Sequence, residues 1–366
     1  MKIAHIVDSM EVGGAETVVS QMCRLQRDQG HDPCVYAVGN LGALGEQLRT
    51  EGFVVEANIG PGLPGTARKF YCIFKKLQPE VVHLHNPTPT IYAAMAARMA
   101  GVPSILSTRH SLVARPRRKL MELKYACAAL FCDWIVGICD ATVSNLQCLH
   151  TVPGRKIVRV YNGTVPITRV ARELCPPKTG FTLIYVGRLA PVKNHPLLFH
   201  AFQAAHRSRP DLRLWMVGDG SERAALERLA AELGMAEQVT FWGQQLDVAP
   251  YFSAADAFIM SSRSEGLPMS LLQAFSLRLP AIVTDVGGMA EVLRLAQAGI
   301  AVSATDHAQM AAAILRLAQD NGEREQFSAN AEAAFNSRFG LQTMVDAYMK
   351  LYKTAGRQAN GTVGRG

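Results

Sequence analysis

The sequence predicts an α/β protein made of two Rossmann-like, doubly wound domains that face each other across a cleft. Three observations carry this. The 366 residues exceed what one core usually holds and suit two domains of ordinary size. Each half repeats one order, a short apolar run, a glycine or polar turn and then a helix-spaced segment, as parallel strands joined by helices do. Between the halves, Pro166 to Gly180 breaks all periodicity, with Cys175-Pro-Pro-Lys-Thr-Gly180 at its end. The expected boundaries are an N-terminal domain over 1–166, a linker over 167–180, a C-terminal domain over 181–340, a last helix over 341–356 and a disordered tail over 357–366.

Composition narrows the function classes. Hydrophobic residues make up 49% of the chain, ordinary for a water-exposed α/β protein. The most apolar segment, Tyr125 to Cys139, is interrupted by Asp133 and falls short of a membrane helix. Met1 to Asp8 is too short for a signal peptide and reads as a strand, so a cytoplasmic location is expected. The eight cysteines show no Cys-x-x-Cys pair and no zinc spacing, and are expected to be reduced, mostly buried thiols. Net charge is +8, and it is concentrated: between Pro61 and Lys124 eleven Lys and Arg face only Glu80 and Glu122. No nucleic-acid recognition pattern accompanies that charge.

In the first half, Lys2 to Val7 is a buried strand, followed by Val12-Gly13-Gly14-Ala15-Glu16-Thr17 and helical spacing at Val18, Val19, Met22 and Leu25 up to Gly30. Strand, glycine loop and helix is an arrangement whose backbone can approach an oxyanion closely. It lacks the third glycine of a dinucleotide fingerprint. Asp32 to Val38 is the next strand, and Gly42 to Gly52 a short helix and turn. Two further stretches, Glu80 to Pro87 and Ser104 to Ser111, each read as a strand running into a turn and deliver His85, Asn86, Arg109 and His110 to the carboxyl ends of the strands. In a doubly wound sheet that edge is the ligand crevice. One helix sets Phe70, Ile73, Phe74 and Leu77 against Arg68, Lys69, Lys75 and Lys76. After Arg115, Arg117, Arg118 and Lys119, the residues Leu120, Leu123, Cys127 and Leu130 are expected to form the buried face of another. Basic faces of this kind suit an anionic membrane surface, at roughly 1 kcal/mol per Lys or Arg.

The second half opens with Phe181 to Asn194, a strand, a glycine and two cations five residues apart, Arg188 and Lys193, ahead of a helix. Fixed positive charges there would stabilise a departing diphosphate, where negative charge develops. Asp211 to Gly220 repeats the strand-into-glycine design and ends at Gly218-Asp219-Gly220, followed by a helix over Glu222 to Leu233, with Gln238 to Gly243 and Val248 to Phe252 read as loops after it. Asp256 to Ser261 is a strand, and helical spacing from Leu271 to Leu277 puts Glu265-Gly266 on the turn between them. Pro268 fits the first helical position, and the free N–H groups behind it form a site for phosphate or sugar oxygens. Gly299 to Val302 is the last strand; Ala308 to Leu317, Arg324 to Phe335 and Met344 to Tyr352 are helices.

Alone, Ser-x-Glu-Gly ahead of an apolar helix describes a capped helix start. In company it says more. Ser264-Glu265-Gly266-Leu267-Pro268, with Thr284-Asp285-Val286-Gly287-Gly288 and Glu291 behind it, resembles the donor-sugar motif of the family 4 glycosyltransferases, retaining enzymes of the GT-B fold. The resemblance runs over nearly the whole chain. It implies that Glu265 contacts the donor sugar, with Gly266, Leu267 and Pro268 beside it, and that the residue eight positions on, Gln273, holds the ribose. Gly187, Arg188 and Lys193 resemble the grip on the β-phosphate, His110 the histidine that touches the donor sugar, and Gly13-Gly14 the loop facing the diphosphate and acceptor. Gly218 and Phe241 lie in loops that resemble the lining of the nucleobase, and Asn162-Gly163 resembles the interdomain hinge. The last helix, by the same resemblance, crosses back to the N-terminal domain. Acceptor contacts fall to His85, Asn86 and Arg109.

The implied activity is transfer of a hexosyl group from a nucleoside diphosphate sugar to a glycan or lipid-linked acceptor, with retention, in cell-surface polysaccharide or glycolipid synthesis. No cofactor or metal is expected, since Asp-x-Asp is absent, and no carboxylate pair of glycosidase type is evident. The family has a glutamate where Gln273 stands. An amide accepts from one ribose hydroxyl and donates to the other, so binding survives at a cost of about 1 kcal/mol per bond. A non-catalytic nucleotide-sugar binder or partner subunit is the alternative that this residue keeps open.

Overall fold

The structure, a computed structural model, describes residues 1–60, 63–112, 119–148 and 152–360. It divides into two compact units, Met1–Thr164 with Leu341–Gly366, and Val165–Gly340. In the first unit the order is β1 (Lys2–Val7), α1 (Gly14–Asp28), β2 (Asp32–Ala37), α2 (Gly42–Thr50), β3 (Val55–Glu56), α3 (Leu63–Leu77), β4 (Val81–His85), α4 (Pro87–Ala100), β5 (Ser104–Arg109), α5 (Lys119–Ala129), β6 (Trp134–Gly137), α6 (Asp140–Cys148) and β7 (Ile157–Arg159). The second unit holds β8 (Thr182–Val186), α7 (His195–Ser208), β9 (Arg213–Val217), α8 (Arg223–Glu232), β10 (Val239–Gly243), α9 (Ala249–Ala254), β11 (Ala257–Met260), α10 (Met269–Ser276), β12 (Ala281–Thr284), α11 (Gly287–Ala296), β13 (Gly299–Val302), α12 (His307–Gln319) and α13 (Asn321–Ala334). The chain then re-enters the first unit as α14 (Leu341–Asn360).

Both sheets are parallel and doubly wound. The first has the order β3-β2-β1-β4-β5-β6-β7 and the second β10-β9-β8-β11-β12-β13. In each, the strand order reverses at one place, between β1 and β4 and between β8 and β11, and there the loops at the carboxyl ends part to leave a crevice. Register across the first gap sets Ile3 beside Val81 and His5 beside His83. Across the second, Ala257 lies beside Leu183 and Phe258 beside Ile184. The central strands, among them β1, β4, β5, β8, β11 and β12, are buried on both faces, which explains why they read as continuous apolar runs and not as alternations.

On α3 the expected division holds: Phe70 and Phe74 are buried in the core, while Arg68, Lys69, Lys75 and Lys76 are exposed. On α5 it is reversed. Leu120, Leu123 and Leu130 are 65%, 60% and 59% exposed, and the face turned inward is Glu122, Tyr125, Ala128 and Ala129. Arg109 supplies the reason, because its buried guanidinium is paired with Glu122 at 2.7 Å and would otherwise be an uncompensated charge. The basic residues Arg115, Arg117 and Arg118 lie outside the described residues, as does the side chain of Lys119.

Four other expectations change. Cys23, Cys34, Cys132 and Cys139 are buried thiols, but Cys72, Cys127 and Cys148 are exposed on outward helix faces; all eight are free. Pro268 is the N-cap of α10 and not its first helical residue. The last helix continues to Asn360, so 357–360 belong to it and not to a tail. The stretch expected as a linker is tied along the second unit: Ile167 N–H donates to Ser276 Oγ at 3.1 Å, Val170 N–H to Ser253 Oγ at 3.2 Å and Arg169 to the Leu277 carbonyl at 3.0 Å. Among the described residues no helix is long and apolar enough to cross a membrane.

Candidate active site

At the strand reversal of the second sheet, the loop after β8 and the loop after β11 bring together two residues 72 positions apart. Lys193 Nζ is ion-paired with Glu265 Oε1, and both side chains are 15% exposed. Lys193 closes a short turn over Pro191–Lys193, after which Asn194, at φ 54°, lets the chain turn into α7. Ser262 Oγ donates to Glu265 Oε1 at 2.9 Å, so the carboxylate is held by a cation and a hydroxyl. The two loops are joined through their backbones as well: Ser261 Oγ donates to the Lys193 carbonyl at 2.9 Å, and Arg263 N–H to the Val192 carbonyl at 2.8 Å. From the β12 side, Thr284 Oγ1 donates to the Ser262 carbonyl at 2.6 Å and Gly288 N–H to the Gly266 carbonyl at 2.7 Å. Four segments thus fix one carboxylate.

Arg188 is exposed and makes no ion pair among the described residues, which leaves its guanidinium free for an anion. Its carbonyl accepts from the buried Tyr185 hydroxyl at 3.0 Å; burial, and then the Glu265 carboxylate, push the pKa of that phenol up, so it stays protonated. His195, at the start of α7, is pushed down to about 4 by burial and by Lys193. Gly218, at φ +131°, sits so close to the neighbouring loop that an added Cβ would lie 2.0 Å from the Gly187 carbonyl oxygen. Its N–H donates to the Gly243 carbonyl at 2.7 Å, so the ends of β8, β9 and β10 are locked together. Gln273 is half-buried in the second turn of α10, and its side-chain amide has no partner among the described residues. Phe241 lies within β10, its ring 6.2 Å from that of Phe199 and under the guanidinium of Arg223, which also bonds Asp219 after β9.

The first sheet carries a second polar edge. Gly13 is the N-cap of α1, and the Glu16 carboxylate folds back over it, 2.3 Å from where a Cβ on Gly13 would stand. His85 at the end of β4 lies between two other imidazoles: its Nε2 is 3.0 Å from His5 Nδ1 and its Nδ1 is 3.1 Å from His110 Nε2. Asn86, at φ 74°, accepts the His110 backbone N–H on its Oδ1 at 3.2 Å. His85, Asn86 and His110 are therefore brought together as the spacing predicts. Arg109 is not: it turns inward to Glu122, with its guanidinium 4.9 Å above the Tyr125 ring. His83 completes the cluster, with its Nδ1 2.7 Å from the Tyr352 hydroxyl of α14 and its Nε2 2.7 Å from Thr108 Oγ1.

Sequence reasoning missed Ser262, His5, His83 and Gln26. For the histidines a signal existed, since His83 and His85 alternate onto one face of β4. Nothing in the local sequence marks Gln26, whose Oε1 lies 2.8 Å from His5 Nε2.

Two family descriptions divide the chain between them, Glycosyltransferase Family 4 over residues 12–166 and Glycosyl transferases group 1 over residues 168–334. The chain belongs to the family 4 glycosyltransferases. A lipopolysaccharide core biosynthesis glycosyltransferase of Rhizobium meliloti, LpsD, is 31% identical to this family 4 chain over 198 residues, or 54% of this chain and 57% of the relative. The chain thus spans little more than half the length of the first curated relatives it matches. An Escherichia coli UDP-Gal:alpha-D-GlcNAc-diphosphoundecaprenol alpha-1,3-galactosyltransferase is 26% identical over 308 residues, covering 77% of each. Among solved structures, HepE of Anabaena in complex with UDP superposes with a TM-score of 0.82 at 18% identity, over 97% of this chain and all of that one. The GT-B fold of this family 4 chain follows from that likeness together with its two parallel sheets.

Proposed function

We propose that this family 4 chain is a retaining glycosyltransferase that moves a hexosyl group from a nucleoside diphosphate sugar to a glycan or lipid-linked acceptor in cell-surface glycan synthesis. The observation that supports this reading best is the meeting of Lys193 and Glu265 at the strand reversal of the second sheet, at a helix start and on the loop that also carries the exposed Arg188. Arg188 and Lys193 balance the charge that grows on the diphosphate as the bond from the sugar C1 to phosphate oxygen breaks. Glu265, held by Ser262, binds sugar hydroxyls, and Gln273 binds the ribose. The acceptor oxygen attacks C1 on the face the phosphate leaves, and the acceptor proton passes to the departing phosphate oxygen. At the edge of the first sheet, His110 and Asn86 offer polar contacts to a sugar. UDP-sugars are the donors to try first, because one relative is named for UDP-Gal and the Anabaena neighbour is solved with UDP.

The reading extends to a place of action, the cytoplasmic surface of an anionic membrane. Leu120, Leu123 and Leu130 form an outward apolar stripe with Lys124 beside it, and α4 packs between that helix and the basic α3. Apolar side chains that enter the acyl boundary, flanked by cations for the headgroups, are what a peripheral membrane helix presents.

Incubating the purified protein with UDP-, GDP- and ADP-sugars, and following release of the nucleoside diphosphate and the anomeric configuration of the product, tests the reading. Turnover with retention is expected. Binding without turnover, unrestored by Gln273→Glu, would instead make the chain a nucleotide-sugar binder or a partner subunit.

A further inference from the structure

The row of imidazoles at the carboxyl edge of the first sheet has a direction. Gln26 Oε1 can only accept, so His5 Nε2, 2.8 Å away, carries the proton. A neutral imidazole protonated at Nε2 keeps a lone pair on Nδ1, and His5 Nδ1 faces His85 Nε2 at 3.0 Å; His85 is the donor there. By the same rule His85 accepts on Nδ1 from His110 Nε2 at 3.1 Å. The last ring is left with a bare Nδ1, a buried atom without a hydrogen-bond partner among the described residues.

Every other ring nitrogen in the cluster is accounted for. His83 is a separate branch, bonded to Tyr352 and Thr108 at 2.7 Å each, and its ring centre lies 4.0 Å from that of His85, which it holds in place. The ligand atoms of His5, His83 and His85 lie within 4.8 Å of one another, close enough to surround an ion, but all six nitrogens already have partners. A metal would have to break that network, whereas a directed row of hydrogen bonds uses it as it stands. Burial keeps the rings neutral: His5 and His110 are pushed down to about 4 and His85 well below its ordinary value.

We propose that Gln26, His5 and His85 are positioning residues that lock His110 into the tautomer with its proton on Nε2, so that its Nδ1 accepts a hydrogen bond from a sugar hydroxyl bound at this edge. The sugar contact rests on the transferase reading; the tautomer lock does not. A bare imidazole nitrogen selects a donor group, so a carbohydrate with a hydroxyl at that position is preferred over one with a carbonyl or carboxylate there.

Long-range proton–nitrogen correlation spectra of the full-length protein labelled with 15N-histidine, at pH 7, read each tautomer directly. His5, His85 and His110 are all expected to be protonated on Nε2. Gln26→Glu, which keeps an acceptor, should preserve that pattern, and Gln26→Met should release His110 into a mixture of tautomers. A wild-type His110 protonated on Nδ1 would overturn the lock, as would zinc ions that shift His5, His83 and His85 together; both readings need only the wild-type protein. Deoxy analogues of donor and acceptor then test the contact. The analogue lacking the bonded hydroxyl should lose roughly tenfold or more in kcat/KM with the wild type and nothing further with His110→Ala. Coupling to a deoxy donor assigns the hydroxyl to the donor, and coupling to a deoxy acceptor assigns it to the acceptor. If the tautomers are as expected and neither series couples to His110, the sugar contact is wrong and the lock stands.

Discussion

Lys193 and Glu265 neutralise each other, with Ser262 as the second hold on the carboxylate. The cation proposed for phosphate and the carboxylate proposed for the sugar are thus stored as a pair, and a bound donor has to share or replace that bond. Lys193→Met leaves Glu265 partly buried without its cation, and the expected loss is about 1–3 kcal/mol of stability. The double variant Lys193→Met with Glu265→Leu should recover part of it, since a pair replaced by apolar groups leaves no uncompensated charge. Arg188→Ala, at an exposed residue with no ion pair among the described residues, should leave thermal unfolding unchanged. Both Lys193→Met and Arg188→Ala should lower kcat by about a hundredfold or more, near 2.7 kcal/mol of barrier; melting curves and steady-state rates check the contrast.

Gln273→Glu should improve donor use. A carboxylate accepts from two ribose hydroxyls where the amide accepts from one, and a gain of about 1 kcal/mol corresponds to roughly fivefold in donor affinity. Donor titration against both proteins measures it. An unchanged donor KM would place Gln273 away from the ribose.

Arg109→Ala should act on stability. Its side chain and that of Glu122 are 4% and 9% exposed, and removing one partner of a buried pair costs roughly 3–5 kcal/mol. The midpoint of unfolding should fall while the folded fraction keeps its donor KM. A change in KM at unaltered stability would return Arg109 to the binding surface.

Replacing Leu120, Leu123 and Leu130 by Ser should weaken binding to vesicles containing anionic phosphatidylglycerol without slowing turnover of a soluble acceptor. Neutralising Lys75 and Lys76 should add a salt-dependent loss of roughly 1 kcal/mol per residue. Replacing Arg115, Arg117, Arg118 and Lys119 should act in the same direction. Cosedimentation with neutral and anionic vesicles separates the apolar from the charged contribution, and retention of full binding by the serine variant would remove α5 from the membrane.

The first unit should be acid-sensitive. His5 and His110 titrate near 4 when folded, and His83 and His85 lie well below the ordinary value of 6.5. As pH falls from about 6.5 toward 4, the unfolded chain takes up protons that the folded one refuses, so stability is lost through that window and is flat above it. Melting temperature against pH should show the decline, and His85→Gln should make it shallower.

Much of this protein is legible in its sequence because parallel strands and glycine turns are local features. The loops after β8 and β11 are recognisable from Gly187-Arg188 and Ser264-Glu265-Gly266, and their place at a strand reversal follows from the strand order. What spacing does not give is direction. Leu120, Leu123, Cys127 and Leu130 mark one stripe of α5 and Glu122, Tyr125 and Ala129 another, and only the distant demand of Arg109 for a counter-charge decides which is buried. The pair Lys193–Glu265 and the row from Gln26 to His110 are tertiary in the same sense, assembled by neighbouring strands whose residues lie far apart along the chain.

Where the chain re-enters the first unit, Leu341 N–H donates to the Thr164 carbonyl at 2.9 Å, and the 20-residue α14 that begins there supplies the Tyr348 and Tyr352 hydroxyls to Thr108 and His83. The first unit is therefore built from segments on either side of the second in the chain. Until α14 is translated, His83 and Thr108 lack those two hydroxyl partners, so the buried hydrogen bonds of the first unit close only after the whole of the second has been made.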